Sequence, residues 1–322
     1  MSQKIIKITT IFVSFFFMTI KSYAEVQNTY LTEMTDSNGN TIYRNFNGKK
    51  ESQLSIEIGP QSSETTTAYS IDVGANLGDK APISQLNENL ESYLEKQLNN
   101  KEKDTQVTKK INEYMHFGYK YNGQNSDKYL IATQKLIWDE LYNAGYRQDN
   151  YSNNVYFTAG EEEYDISTEE NKIKNNISNY YKTPSMCSSA NKLEIAIGET
   201  AIYEDTNKVL SNYQVQCNEG LTCKIEDNKL RITATKEGAA QKITFIKNGK
   251  TGTSNVIYQR ENEQAVLVNA APLDEVSCQF GIDTYKNVQT SGMKLLYITV
   301  IGLFCGVMAY IAYYTKKSLN NL

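Results

Sequence analysis

Apolar and polar positions change their rhythm near residue 185. From Ser84 to Tyr181 helical spacing recurs in "ISQLNENLESYLEKQL", "VTKKINEYMHFGY", "ATQKLIWDEL" and "DISTEENKIKNNISNYY". In the third segment Leu130, Gln134, Ile137 and Leu141 fall on one helix face at i, i+4, i+7 and i+11, with Trp138 beside them. In the fourth, Ser167 followed three positions on by Glu170 forms a capping box, and Pro184 closes the segment. Before Ser84, "QLSIEIG" and "TTTAYSIDVG" alternate and end in glycine, which predicts strands. From Asn191 to Asp283 the chain becomes short alternating runs, among them "KLEIAIG", "YQVQC", "QKITFIKNG", "SNVIYQR" and "QAVLVN", with turn residues every eight to twelve positions or about that. The expected architecture is an α+β domain over 25–185 followed by an all-β Ig-like sandwich over 190–283.

Both ends carry longer apolar runs. Residues 1–24 have Lys4 and Lys7, an apolar stretch from Ile8 to Ile20, and small Ser22 and Ala24 around Tyr23, the pattern of a secretory signal peptide cut after Ala24. Leu295–Tyr314 is uncharged and apolar over roughly the 20 residues that a bilayer needs. Lys316 and Lys317 follow it, so the tail 315–322 is expected in the cytoplasm and the ectodomain outside, joined to the span by the linker 284–294. Within that linker "NVQTSG", Asn287 to Gly292, resembles a cell-wall sorting signal of Gram-positive surface proteins, with Val288 at the usual proline and Ser291 at the usual glycine or asparagine. A retained single membrane span is the first expectation, and sortase attachment to the wall is the alternative.

Charge and composition narrow the chemistry. The 322 residues carry a net charge of -4 with lysines and acids interleaved, which argues against nucleic acid as a partner. His116 is the single histidine, leaving no material for a histidine triad or most zinc sites. Of the five cysteines, Cys305 falls in the apolar C-terminal run, and Cys187, Cys217, Cys223 and Cys278 are expected outside the cell, where disulfides persist. Four cysteines allow three pairings. The Gly-containing turn in "VQCNEGLTCKI" favours a Cys217–Cys223 staple across a hairpin, which leaves Cys187 for Cys278. No pair has metal spacing, so neither metal nor cofactor is expected. Glu161, Glu162 and Glu163 read as a solvated face, lacking the alternation of a calcium loop. The 24 tyrosines, with clusters at Tyr119, Tyr121, Tyr180 and Tyr181, are expected first in the core, with an exposed subset as a binding surface.

A buried carboxamide is costly unless matched, so Gln134 on an inward helix face calls for an explanation. "ATQKLIW" resembles the glutamine motif of the thioester domains on Gram-positive surface proteins, and "GYKYNG", "DISTEENKI" and the later "IGETAIYEDTNKVLSNYQV" are similar to the same family. The resemblance implies a glutamine joined to an upstream cysteine as an internal thioester, an electrophile for covalent attachment. That cysteine lies in an aromatic-Cys-aliphatic triplet followed by an acid and a glycine. The matching stretch here is "AYSIDVG", with Ser70 after Tyr69 where the cysteine belongs, and no cysteine precedes Cys187. A thioester is therefore ruled out at Ser70, and the pair Ser70 and Gln134 is expected to share a hydrogen bond. The implied function is non-covalent attachment to a protein or glycan on a host or neighbouring cell, without enzymatic activity. The alternatives are a structural or assembly subunit, with or without a partner in the same membrane, and a Ser70–Gln134 ester or serine-dependent acyl transfer.

Overall fold

The computed structural model describes residues 27–46, 48–60, 64–72, 77–98, 100–146, 154–188, 193–260 and 264–286. The expected signal peptide, linker motif and membrane span, with Cys305, lie outside these residues. Among the described residues no helix is long and apolar enough to cross a membrane.

The chain is mostly β. Its first part runs β1 (Gln27–Glu33), β2 (Ile42–Phe46), β3 (Lys49–Ser52), β4 (Leu54–Pro60), β5 (Thr66–Ser70), β6 (Pro82–Gln85), α1 (Leu90–Leu98), α2 (Lys101–Phe117), α3 (Asp127–Ala144), β7 (Tyr156–Ala159), β8 (Glu162–Glu163) and α4 (Ser167–Tyr181). The second part runs β9 (Leu193–Ala196), β10 (Thr200–Glu204), β11 (Gln214–Cys217), β12 (Leu221–Glu226), β13 (Lys229–Ala234), β14 (Gly238–Lys247), β15 (Val256–Gln259), β16 (Val266–Val268) and β17 (Val276–Tyr285). These divide into two compact units, one of residues 1–174 with 252–272, the other of 175–251 with 273–322.

In the first unit a closed barrel has the strand order β1-β4-β5-β16-β15-β6. Ile56 and Ile58 alternate on β4 and Val266 and Val268 on β16, and these four share a buried cluster with Ala68 and Ile83. Burying such a side chain fully contributes about 1.5–3 kcal/mol, so this cluster is a large part of what closes the barrel. A second sheet, β3-β2-β7-β8, helices α1, α2 and α3, and the first half of α4 complete the unit. Helix α3 follows the sequence closely: Leu130, Gln134, Ile137, Trp138 and Leu141 are all buried. Gly118, at the end of α2, permits a close approach to α3, because a Cβ there would meet Thr133 Oγ1 at 2.1 Å. That hydroxyl instead accepts the Tyr119 N–H at 3.0 Å. At the start of α4 the Ser167 amide is taken by Asp165 Oδ1 at 2.8 Å, while Glu170 pairs with Lys135 at 3.1 Å.

Two expectations change. The runs "SNVIYQR" and "QAVLVN" do not extend an all-β domain over 190–283: β16 pairs with β5 and β15 with β6, so the later part of the sequence closes the barrel of the first unit. Alternation marks them as strands but carries no information on which sheet takes them. The excursion can leave and return because its ends meet, Leu273 N–H donating to Lys250 O at 3.0 Å. The opening of "ISQLNENL" is also strand, β6, before α1 begins.

The second unit has two sheets, β10-β13-β12 and β11-β14-β17-β9, with β9 parallel to β17. Leu230, Ile232 and Ala234 on β13 and Ile243 and Phe245 on β14 are wholly buried. The rings of Tyr203 and Phe280, one from each sheet, meet edge to face at 6.0 Å. Cys187 bonds Cys278 and Cys217 bonds Cys223. The second bond does not staple a hairpin. Cys217 lies opposite Ile243 on β14 and Cys223 opposite Ile232 on β13, so the bond links one sheet to the other.

Candidate functional site

Strand β5 ends at Ser70 and α3 carries Gln134 on its inward face, and the two meet across 64 positions of sequence. The contact differs from the expected side-chain pair. Gln134 Oε1 accepts the backbone N–H of Ser70 at 2.8 Å and its Nε2 donates to the Ser70 carbonyl at 2.9 Å, so the carboxamide pairs with the main chain as a neighbouring strand would. With Ser70 1% and Gln134 6% exposed, this two-point match explains how the amide tolerates burial. The Ser70 hydroxyl turns away and donates to Asp72 O at 2.7 Å. It accepts from Gln264 Nε2, which also reaches Asp72 O.

Gln264 was not legible as a site residue. It stands at the head of β16, where Val266 lies opposite Ser70, and Ile71 N–H donates to Ala265 O at 3.0 Å. The excursion thus zips along residues 69–72 and delivers its glutamine beside the serine. Asp72 Oδ2 accepts the Ala265 N–H at 2.9 Å and the Tyr93 hydroxyl, from α1, at 3.0 Å. Burial raises the Asp72 carboxyl above its ordinary range, an effect that these two donors offset only in part. Burial likewise pushes the Tyr69 and Tyr93 hydroxyls up, with Tyr119 adding to the first and Asp72 to the second.

The chemistry open to this arrangement follows from its donors and acceptors. The serine proton points at a carbonyl oxygen, which is no general base. His116 engages the Ala271 carbonyl through Nε2 at 2.7 Å and does not line the cavity beside Ser70. The four cysteines of the described residues are all in disulfides of the second unit. Among the described residues no three histidine, cysteine, aspartate or glutamate side chains converge to hold a metal ion. Glu161, Glu162 and Glu163 are exposed. Of the tyrosine clusters, Tyr180 is 8% exposed and donates to Asp274 O at 3.0 Å, and Tyr121 packs edge-on to Phe117 at 5.1 Å.

No protein-family model matches the chain, and no curated protein matches it. Among solved structures the chain is similar to the thioester domain of the Staphylococcus aureus TIE protein, at 22% identity over 81% of this chain and 99% of that one, with a TM-score of 0.49. It is also similar to the Bacillus anthracis TIE protein, at 12% identity over 81% of this chain and 49% of that one, TM-score 0.36. A third is the N-terminal thioester domain of fibronectin-binding protein SfbI from Streptococcus pyogenes, at 12% identity over 74% of this chain and 97% of that one, TM-score 0.29. The likeness is distant, and the fold and site rest on the strand pairing and hydrogen bonds above.

Proposed function

We propose that this chain is a cell-surface attachment module that holds its ligand without covalent chemistry, its thioester cysteine replaced by Ser70. The observation that carries the reading is the way Ser70 and Gln134 meet: the glutamine is spent on the serine's main chain, and the serine hydroxyl on Asp72 and Gln264. Nothing at that meeting point supplies a thiol or a base, and the reading assigns no catalytic role. The leader-like residues 1–24, the apolar run 295–314 and the cysteines paired as in secreted proteins support display outside the cell. In this reading the two sheets of the second unit form an Ig-like sandwich that acts as a spacer, and the C-terminal run anchors it.

The test is adhesion of the full-length protein to cells and matrix, followed by boiling in detergent. Attachment that detergent releases completely, and that prior treatment with methylamine leaves unchanged, is the expected result. An adduct that survives boiling overturns the non-covalent reading, and absence of adhesion to any surface overturns the attachment role.

A further inference from the structure

The sheet β3-β2-β7-β8 has a cavity of about 360 Å³, within the range of ligand pockets, which run from about 300 to 1,000 Å³. Side chains alternate across a strand, and burial tells the two faces of this sheet apart. Ile42 and Phe46 on β2 and Phe157 on β7 are buried, whereas Tyr43, Asn45, Tyr156 and Thr158, which alternate with them, are half-buried or exposed. Register sets Lys50, Asn45 and Tyr156 in one row across β3, β2 and β7 on the outward face, with Tyr43 and Thr158 in the next row. Lys50 and Tyr156 are exposed, the tyrosine by 53%, so both can meet a ligand. The Lys50 ammonium lies 4.3 Å from the centre of the Tyr43 ring, which keeps it on this face, and among the described residues no carboxylate pairs with it. Lys49 and Asn154 line the same cavity.

A lysine on an edge strand often serves to discourage pairing with another strand, and β3 is an edge of its sheet. That accounts for Lys49 and Lys50 but not for Tyr156, two strands further in, whose ring stays in water while Tyr69, Tyr146, Tyr180 and Tyr213 are buried. The charged residues lining the cavity are both lysines, so the ligand it favours is anionic. The sheet's acid on this face is Glu163, opposite Thr158 on β8, three strand spacings or about 14 Å from β3. A peptide partner would gain most from a pocket for an apolar anchor, and among the described residues this cavity offers none, because Asn45, Asn154 and the lysines are polar and Phe46 is 2% exposed. What it does offer is one aromatic face, amides that both donate and accept, and positive charge. A sugar with an acidic group uses all three. We propose that this face binds an acidic glycan, its carboxylate or sulfate set against the Lys50 ammonium and a sugar ring against Tyr156. That this contact serves adhesion rests on the reading of the first unit as an attachment module.

The full-length protein is titrated by calorimetry with glucuronate, galacturonate and a sulfated N-acetylglucosamine. Glucose, galactose and N-acetylglucosamine serve as neutral counterparts, sodium sulfate as the bare anion and triglutamate as an acidic peptide. The expected result is saturable binding of at least one acidic sugar, about tenfold or more tighter than its neutral counterpart and weakened as salt rises, since an exposed lysine is screened. Tyr156→Ala is expected to lower that affinity about tenfold and Lys50→Gln about fivefold, with the fold intact because both side chains are exposed. Lys224→Gln, which removes an exposed charge in the second unit, is expected to leave it unchanged. Failure of every acidic sugar to bind, equal or tighter binding of a neutral sugar, sulfate or the peptide, binding that Tyr156→Ala and Lys50→Gln leave intact, or the same loss in Lys224→Gln overturns the proposal. Adhesion assays on the same variants separate the two readings. Adhesion that persists while acidic sugars are inert overturns the glycan site alone, and sugar binding by a protein that adheres to nothing overturns the attachment role alone.

Discussion

Among the described residues, the buried polar side chains of the second unit are Asp205, Gln241 and Thr284, and two disulfides tie the turn at Cys187 to β17 and β11 to β12. The first unit has no disulfide among its described residues and buries Ser70, Gln134 and Gln264 in one network, and Asp104, Asn112 and Glu113 on α2. The difference is that between a scaffold and a site. A core closed by covalent bonds keeps its shape with little polar specificity, whereas a core of matched amides and hydroxyls depends on every partner being present.

The largest test of that contrast is excision of residues 252–272. The first unit then loses β15, β16 and Gln264, two of the barrel's six strands and the serine's partner, and is expected to unfold outright. The second unit is expected to stay folded, because the cut ends already meet at Lys250 and Leu273. Limited proteolysis with peptide mapping reads both: rapid cleavage over residues 27–174, and a resistant disulfide-linked core. Equal protection of both units would contradict the barrel assignment.

Next come the disulfides. The Cys187–Cys278 bond closes a separation of 91 residues and the Cys217–Cys223 bond one of 6. On chain entropy, replacing both cysteines by serine is expected to cost the second unit about 4–5 kcal/mol for the first pair and about 2 kcal/mol for the second. Urea unfolding followed by hydrogen exchange checks the order, and it should leave the amides of the first unit unmoved.

Within the site, Gln134→Leu strands the Ser70 N–H and carbonyl together, and is expected to cost the first unit about 2–4 kcal/mol. Ser70→Ala removes a hydroxyl that Gln134 does not use, and is expected to cost about 1 kcal/mol. Equal costs in the two variants, measured by urea unfolding, would mean that the hydroxyl and the carboxamide act as one pair.

The smallest effects, with opposite signs, come from two aspartates. Burial raises the Asp205 carboxyl, but the N–H groups of Ser185, Val209 and Asn207 outweigh it and hold the group below its ordinary range. Its stabilisation is therefore present above the unfolded value of about 3.9 and lost as pH falls through the folded value. Asp72 is raised by burial, so the folded first unit holds its proton more firmly, and its contribution to stability declines as pH rises from the ordinary value through the raised one. Hydrogen exchange across the acidic range is expected to show Asp205→Asn flattening the acid loss in the second unit and Asp72→Asn flattening the opposite slope in the first. Slopes unchanged by both substitutions would contradict these assignments.

Much of this was legible in the sequence, and the exceptions have physical causes. Helical spacing placed Gln134 and Trp138 inward on α3, and alternation found β4 and β5. The triplet around Ser70 marked the serine that Gln134 meets. Gln264 carried no signal, because a glutamine between two short strands looks like any turn residue until those strands are known to enter the barrel. The partners of Cys217 and Cys223 were readable from four cysteines and a turn, but their sheets were not, since adjacent strands joined by a short turn can belong to either one sheet or two.

The most direct measurement is an intact mass and peptide map of the reduced protein, asking whether the peptides holding Ser70 and Gln134 run separately. The account predicts two separate peptides at full mass, with Gln134 an intact amide hydrogen-bonded to the Ser70 main chain. A single cross-linked species lighter by one ammonia would contradict it, since that would mean an ester had formed between Ser70 and Gln134.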